Sequence, residues 1–339
     1  MMKALMIEAE GRTRFHTIPD VRPGPGEVRI SVRHVGLCGS DYNTFKGLNP
    51  LVQLPRIPGH EIGGEILEAG AGVGPDFAAG RRVVVVPYTS CGRCSACRAS
   101  RANACRDNRT LGVQQDGGLA DEIVVPAGKL IINDTLQPRH LALVEPLSVG
   151  FHAVARGRVQ RADRVVVLGC GMIGMGAVIA AAAVGAEVVA VDVSAAKVDL
   201  ARRFGAAHGC VAAGEDVAAA VRAVTGGDGA DVVIEAVGLP ATFTQAIDLA
   251  CFAGRVVYIG YAKAPVTYQT QLFNLKELDI LGSRNALPAD FRAVIGYLEG
   301  AGLQADALIT RLVPFVEAED ALDYWDRNRD SVLKLVIAR

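Results

Sequence analysis

Cys91, Cys94, Cys97 and Cys105 fall within fifteen positions, in the stretch CGRCSACRASRANAC. Two C-x-x-C steps share Cys94, and Cys105 closes the stretch. Such spacing lets one turn present two thiolates to a tetrahedral ion, with the fourth arriving from the end of the loop. Disulfides between residues three apart are strained. A thioredoxin-type redox pair needs one C-x-x-C beside a strand and a helix, not several in a lobe rich in arginine. The spacing therefore points to zinc. Protein fills all four positions, so this zinc is structural and the chemistry lies elsewhere.

A second constellation is RVVVLGCGMIGMG, where Gly169, Gly171 and Gly174 form G-x-G-x-x-G after an apolar run. The first glycine permits a tight turn and the second lets backbone approach a pyrophosphate. The third lets a helix pack on its strand with the helix N-terminus facing the phosphates. Asp192 ends the next apolar run, EVVAVD, 23 residues after Gly169, where an acid can hold an adenosine ribose. The candidate dinucleotide-binding residues are Gly169, Gly171, Met172, Ile173, Gly174, Asp192 and Lys197. Asp192 meets the 2′-phosphate of NADP with like charge, and no Arg follows it directly, so the expected cofactor is NAD.

Two further segments hold ligand types: GLCGSD with Cys38, and IPGHEIGGEILEAG with His60 and Glu61. A lone Cys is ordinarily a small core residue and a lone His-Glu pair a surface one. By themselves these residues leave both readings open.

The elements that must position these groups divide the chain. Its 339 residues suggest two domains. Residues 1 to about 150 read as β-rich, with runs such as EVRISVRHVG, EIGGEILEAG and RRVVVVP between Gly- and Pro-rich turns. From about residue 160, VVVLG, EVVAVD, ADVVIEAVG and RVVYIG alternate with alanine-rich helical stretches, the pattern of a parallel sheet. The last fifty residues add a helix, ADFRAVIGYLEGAG, and a closing strand, VLKLVIA. The formal net charge of −1 gives no general attraction to nucleic acid or membrane, and the arginines around the cysteines read as a solvated loop. The N-terminus has no secretory apolar run, and no apolar stretch approaches eighteen residues, so a cytoplasmic chain with reduced thiols is expected.

Taken together, these motifs resemble the zinc-dependent medium-chain dehydrogenases (alcohol, sorbitol, threonine and sugar-acid dehydrogenases) along essentially the whole chain. Gly59-His60-Glu61 with Gly64 and Gly70 matches that family's zinc signature, and the cysteine lobe matches its structural-zinc loop. VEPLSVGFHAV, with Glu145, resembles the polyol and threonine branch. The resemblance implies an α/β chain with a GroES-like β-rich catalytic domain over 1–150, completed by 289–339. A Rossmann doubly wound parallel-sheet domain would occupy 151–288. It implies two zinc ions per chain. The catalytic one is held by Cys38, His60 and Glu61, with Glu145 holding a water or exchanging as ligand; Ser40 receives the alcohol's proton. Relatives place a proton-passing His five residues after the cysteine; here the position is Asn43, whose amide takes up no proton at neutral pH. Arg81 also departs from the usual Asp of that turn.

The implied activity is NAD-linked oxidation of a secondary hydroxyl of a polyhydroxy acid or polyol to a ketone. ILGSRNALPADF, with Arg284 and Asn285, resembles the sugar-acid branch, which oxidises hexonates such as galactonate or gulonate. Arg284 offers a planar fork suited to a carboxylate, although a contact to cofactor phosphates or to an acid accounts for it as well. QQDGG, at 114 to 118, also looks like that branch. A threonine-type dehydrogenase is the neighbouring alternative. A silent zinc- and dinucleotide-binding protein, a zinc-free quinone reductase of the same fold and a nucleic-acid-binding zinc ribbon are the distant ones. The expected partners are a small-molecule substrate and other copies of the chain, as a homodimer or homotetramer.

Overall fold

The structure, a computed structural model, describes residues 1–339. The chain forms two compact units: Met1–Pro146 with Phe291–Arg339, and Leu147–Asp290. Both boundaries fall inside helices, Pro138–Arg156 and Pro288–Ala301, so no change of composition or loop marks them.

The first unit opens with strands β1 (Met2–Ala9) and β2 (Arg12–Ile18), an antiparallel pair. Strand β3 (Glu27–Leu37), helix α1 (Gly39–Phe45), and strands β4 (Glu61–Ala69) and β5 (Arg82–Val85) follow. The cysteine loop holds one helical turn, α2 (Ser95–Arg98). Then come β6 (Glu122–Pro126), β7 (Leu130–Ile132) and helix α3 (Pro138–Arg156). Strand β3 alternates as a half-buried strand should: Val28, Ile30 and Val32 are buried while Arg29, Ser31 and Arg33 turn outward. Burying each such side chain contributes about 1.5–3 kcal/mol.

The second unit holds β8 (Arg164–Leu168), α4 (Met172–Ala183), β9 (Glu187–Asp192), α5 (Ala195–Arg203) and β10 (His208–Val211). Next are α6 (Val217–Thr225), β11 (Ala230–Glu235), α7 (Pro240–Leu249), β12 (Ala250–Tyr258), α8 (Gln271–Leu275) and β13 (Asp279–Gly282). The order across this all-parallel sheet is β10-β9-β8-β11-β12-β13. That is the doubly wound Rossmann order, whose direction reverses between β8 and β11. Val165, Val166, Val167 and Leu168 of β8 are fully buried, which explains a continuous apolar run rather than an alternating one.

The chain returns to the first unit through α9 (Pro288–Ala301), β14 (Arg311–Pro314), α10 (Ala321–Arg327) and β15 (Leu335–Ala338). Strand β15 pairs antiparallel with β3, giving the sheet order β14-β15-β3-β4-β5-β7, with β6 also on β3. The last strand of the chain thus lies beside the strand leading to Cys38. No helix is long and apolar enough to cross a membrane.

Candidate metal centre and dinucleotide turn

Cys38 caps the N-terminus of α1, directly after β3, and His60 and Glu61 stand where β4 begins. Glu61 pairs with Gly36 across the β3–β4 ladder, which brings the two segments together. Donor atoms of Cys38, His60 and Glu61 all lie within 4.8 Å of one another. Glu145, from α3, and Tyr88 are both buried; Glu145 helps raise the His60 pKa, and burial with the charges of Glu145, Cys38 and Glu61 raises that of Tyr88.

Acids and cations face one another in this buried cluster. Burial opposes the charged form of His60, but Asp41, Cys38 and Glu145 outweigh it and raise its pKa well above the ordinary histidine value. Burial is the main cause pushing the Glu145 carboxyl upward, against the pull of His60. His60 Nδ1 is buried without a hydrogen-bond partner, 3.9 Å from Asp41 Oδ1. Sulfur, imidazole and carboxylate donors converging at one point fit a borderline-soft divalent cation such as zinc. Ser40 Oγ, two residues beyond Cys38, is also buried without a partner.

Several residues that build this centre carry no signal in the sequence. Lys334, 2% exposed, donates to both Glu61 oxygens at 2.6 Å and to Leu37 O at 2.9 Å. Glu61 therefore reaches the cluster with its charge already balanced from behind. The fit requires Gly36: a Cβ there would stand 1.9 Å from Glu61 Oε2. Asp41 accepts from the backbone N–H of Cys38 at 2.9 Å and orients the turn that carries the thiol. Tyr88 donates its hydroxyl to Glu145 Oε1.

The QQDGG segment acquires a physical role. Gly117 and Gly118 donate to Ile57 O and Gly59 O, each at 2.8 Å, and clamp the turn that presents His60. A Cβ at Gly117 would lie 2.3 Å from Gly59 O, and one at Gly112 would lie 2.6 Å from Gly59 N. Arg81 is explained too, since its Nε bonds Asp134 at 2.7 Å.

In the lobe, the sulfurs of Cys91, Cys94, Cys97 and Cys105 also lie within 4.8 Å of one another, and all four cysteines are free. Backbone N–H groups of Cys91 and Cys94 point at the sulfurs of Cys105 and Cys91, each at 3.3 Å. Backbone donors at Arg106 and Cys97 lower the Cys94 thiol to about 6, while burial and the neighbouring thiols push Cys97 up to about 11.

In the second unit, the turn from β8 to α4 carries the three glycines. Gly169 has φ of +92°, and a Cβ at Gly174 would strike Gly169 O at 1.7 Å, so the fold itself demands glycine at both. At Gly171 a Cβ would meet nothing within 4 Å. The space before that backbone is open to a ligand. Met172 is buried and Ile173 half-buried in the first turn of α4, whose N-terminus closes the turn. Asp192 accepts from Cys170 N at 2.7 Å and Ser194 N at 2.9 Å, which tethers the acid to the glycine turn. Lys197 sits half-buried in the first turn of α5. The other flank of the strand reversal is the turn after β11. There Glu235 Oε1 accepts from Val237 N, Gly238 N and Thr242 Oγ1, another contribution the sequence does not announce. Arg284, exposed, and Asn285, with φ of 51°, lie on the segment from β13 to α9.

A β-rich unit carrying a sulfur–imidazole–carboxylate centre and a Rossmann unit carrying a glycine turn define a dinucleotide-linked oxidoreductase of the metal-dependent class. Comparison with known proteins agrees. Residues 24–134 match the alcohol dehydrogenase GroES-like domain, and residues 173–299 match the zinc-binding dehydrogenase domain. L-Galactonate-5-dehydrogenase of Escherichia coli K12 is 35% identical over 93% of this chain and 92% of its own. Sorbitol dehydrogenase of Halalkalibacterium halodurans is 33% identical over 96% and 94%. The crystal structure of an Escherichia coli CFT073 alcohol dehydrogenase complexed with NADH superimposes with a TM-score of 0.92 at 29% identity, covering 100% of this chain and 99% of that one. The chain belongs to the zinc-type alcohol dehydrogenase family.

Proposed function

We propose that the protein oxidises a secondary hydroxyl of a five- or six-carbon polyhydroxy acid or polyol, with NAD as acceptor. The products are the ketone, NADH and a proton. The observation that carries this reading is the convergence of Cys38, His60 and Glu61 donors within 4.8 Å, with the unpartnered hydroxyl of Ser40 two residues beyond Cys38. Zinc bound there supplies Lewis acidity, which draws the pKa of a hydroxyl toward neutrality. The chain's own residues do the rest. Cys38, His60 and Glu61 provide donors, Asp41 and Lys334 hold two of them in place, and Ser40 takes the hydroxyl proton. Asn43 cannot pass that proton on by titration. A second zinc in the four-cysteine lobe is part of the same reading.

Asp192 supports NAD over NADP. At about 4 Å and an effective dielectric near 20, its charge and one charge of a 2′-phosphate repel by roughly 4 kcal/mol before screening. Initial rates with each cofactor test this, with NAD expected to be far more efficient and Asp192→Ser expected to narrow the gap.

The acid is favoured over the alditol because Arg284 offers a fork that suits a carboxylate, and because the relative from Escherichia coli K12 is a galactonate dehydrogenase. The test compares an aldonate with its matching alditol in wild type and in Arg284→Met. A selective loss on the acid supports the role of Arg284. Equal losses with weaker NAD binding would assign Arg284 to the cofactor and put the polyol first. A homo-oligomer is also proposed: edge strand β13 leaves Ile280 exposed, with Leu275 exposed shortly before it in sequence and Phe252 exposed on the adjacent strand β12. Light scattering on the purified protein tests it.

A further inference from the structure

Resting on the reading that Glu145 belongs to the catalytic centre, we propose that Tyr88 is a positioning residue that fixes which oxygen of Glu145 faces that centre. Tyr88 and Glu145 are each 5% exposed, and the phenol donates to Oε1. A carboxylate offers two equivalent oxygens and turns easily about its last bond. A donor locked on Oε1 removes that freedom.

Tyr88 is itself well held. Its ring packs edge-on to fully buried Phe291, with centroids 6.3 Å apart at 78°. Its backbone is bridged to Thr110, flanked by Leu111 N to Pro87 O at 3.1 Å and Thr89 N to Arg109 O at 3.2 Å. These bonds close the base of the loop that carries Cys91 to Cys105. The same return strand runs into Gly112, which packs against the Gly59 turn before His60. The cysteine lobe thus ends in a short ladder that orients one residue of the centre through Tyr88 and steadies another through Gly112. A tyrosine that merely filled space would need neither a buried acid at its hydroxyl nor a bridged backbone.

The test uses the metal-loaded enzyme. Tyr88→Phe keeps the ring on Phe291 and removes only the donor. Outer-shell partners of metal sites are typically worth 10–100-fold in affinity or activity, so kcat should fall by about that factor. KM for NAD should not move, and the visible spectrum of the cobalt-substituted enzyme should shift. In a Glu145→Gln background the same change should cost less than about twofold, because the two residues act as a unit. Tyr88→His, which keeps a donor of shorter reach, should fall between wild type and Tyr88→Phe.

Equal costs in both backgrounds, or a folded Tyr88→Phe enzyme with unchanged kcat and cobalt spectrum, would overturn the role of Tyr88 alone. A histidine variant as impaired as the phenylalanine variant, with both folded, would also count against it. Cobalt bands from the four-thiolate lobe only, already in wild type, would overturn the metal-centre reading and this proposal with it.

Discussion

In the lobe, all four donors come from one fifteen-residue loop, and backbone N–H groups of that loop point at the sulfurs. Around Cys38 the donors come from two separate elements, the cap of α1 and the start of β4. The supporting residues come from farther still: Lys334 from the approach to β15, Tyr88 from the base of the lobe, Gly117 from the segment behind His60. The lobe supplies four sulfur donors from a single segment. In the Cys38 centre, His60 Nδ1 and Ser40 Oγ are buried without hydrogen-bond partners. On the proposed reading, nearness of ligands along the chain goes with the brace and distance along the chain with the working site.

Opposite responses to single substitutions would break or sharpen this contrast. The largest effect is expected at His60→Ala. Losing a Lewis-acid site worth several kcal/mol in the transition state should lower turnover roughly 10³-fold or more. Metal analysis should still find the lobe's zinc, and the thermal midpoint should change little. Cys94→Ser should do the reverse and act first on stability. Structural zinc contributes on the order of 10 kcal/mol in small peptides, which is an upper bound within a larger fold. Calorimetry and zinc content read it out, and a variant as stable as wild type would remove the brace.

Lys334→Met leaves the Glu61 charge buried without its partner and should cost about 3–5 kcal/mol in chemical unfolding. Adding Glu61→Gln should recover much of that loss. Gly117→Ala drives a Cβ onto the Gly59 turn and should cost about 1–3 kcal/mol. It should also reduce turnover, because the displaced turn carries His60.

The smallest effect is an acid baseline that belongs to neither region. Burial, reinforced by Arg139, Arg33 and His140, lowers the His34 pKa from 6.5 to about 4. A folded-state pKa below the unfolded value contributes stability in full above pH 6.5, and that stability fades as pH falls toward 4. His34→Gln should flatten this part of the stability profile, by no more than about 2 kcal/mol once solvent screening is allowed for. Acid-induced loss of either metal can then be measured on its own.

These contrasts also explain what could be read from residues alone. The glycine turn, Asp192 and the buried strands β8, β9, β11 and β12 are visible because each is local and repeats a physical pattern. Strands β10 and β13 escape, since His208–Val211 and Asp279–Gly282 are four residues long, contain glycine and do not alternate cleanly. Lys334 escapes for another reason. In VLKLVIA a lysine reads as the outward side of a strand, and nothing near it reveals a carboxylate 273 residues earlier in the chain. Asp41 and Glu235 likewise act on backbone N–H groups, and that work leaves no spacing to recognise. Cys38, His60 and Glu61 became a candidate centre only as a set matching a family signature, because each alone is an ordinary residue.

The bond from Lys334 to Glu61 closes a loop of 273 positions that contains the whole of the second unit. During synthesis the first unit emerges with Glu61 in place but without the cation that balances it. The entire Rossmann unit must be made before that cation arrives. Domains of a growing chain usually fold in order of emergence. Here the unit that starts first is the one that finishes last, and the Glu61 carboxylate stays electrostatically open until the approach to the final strand has been laid down.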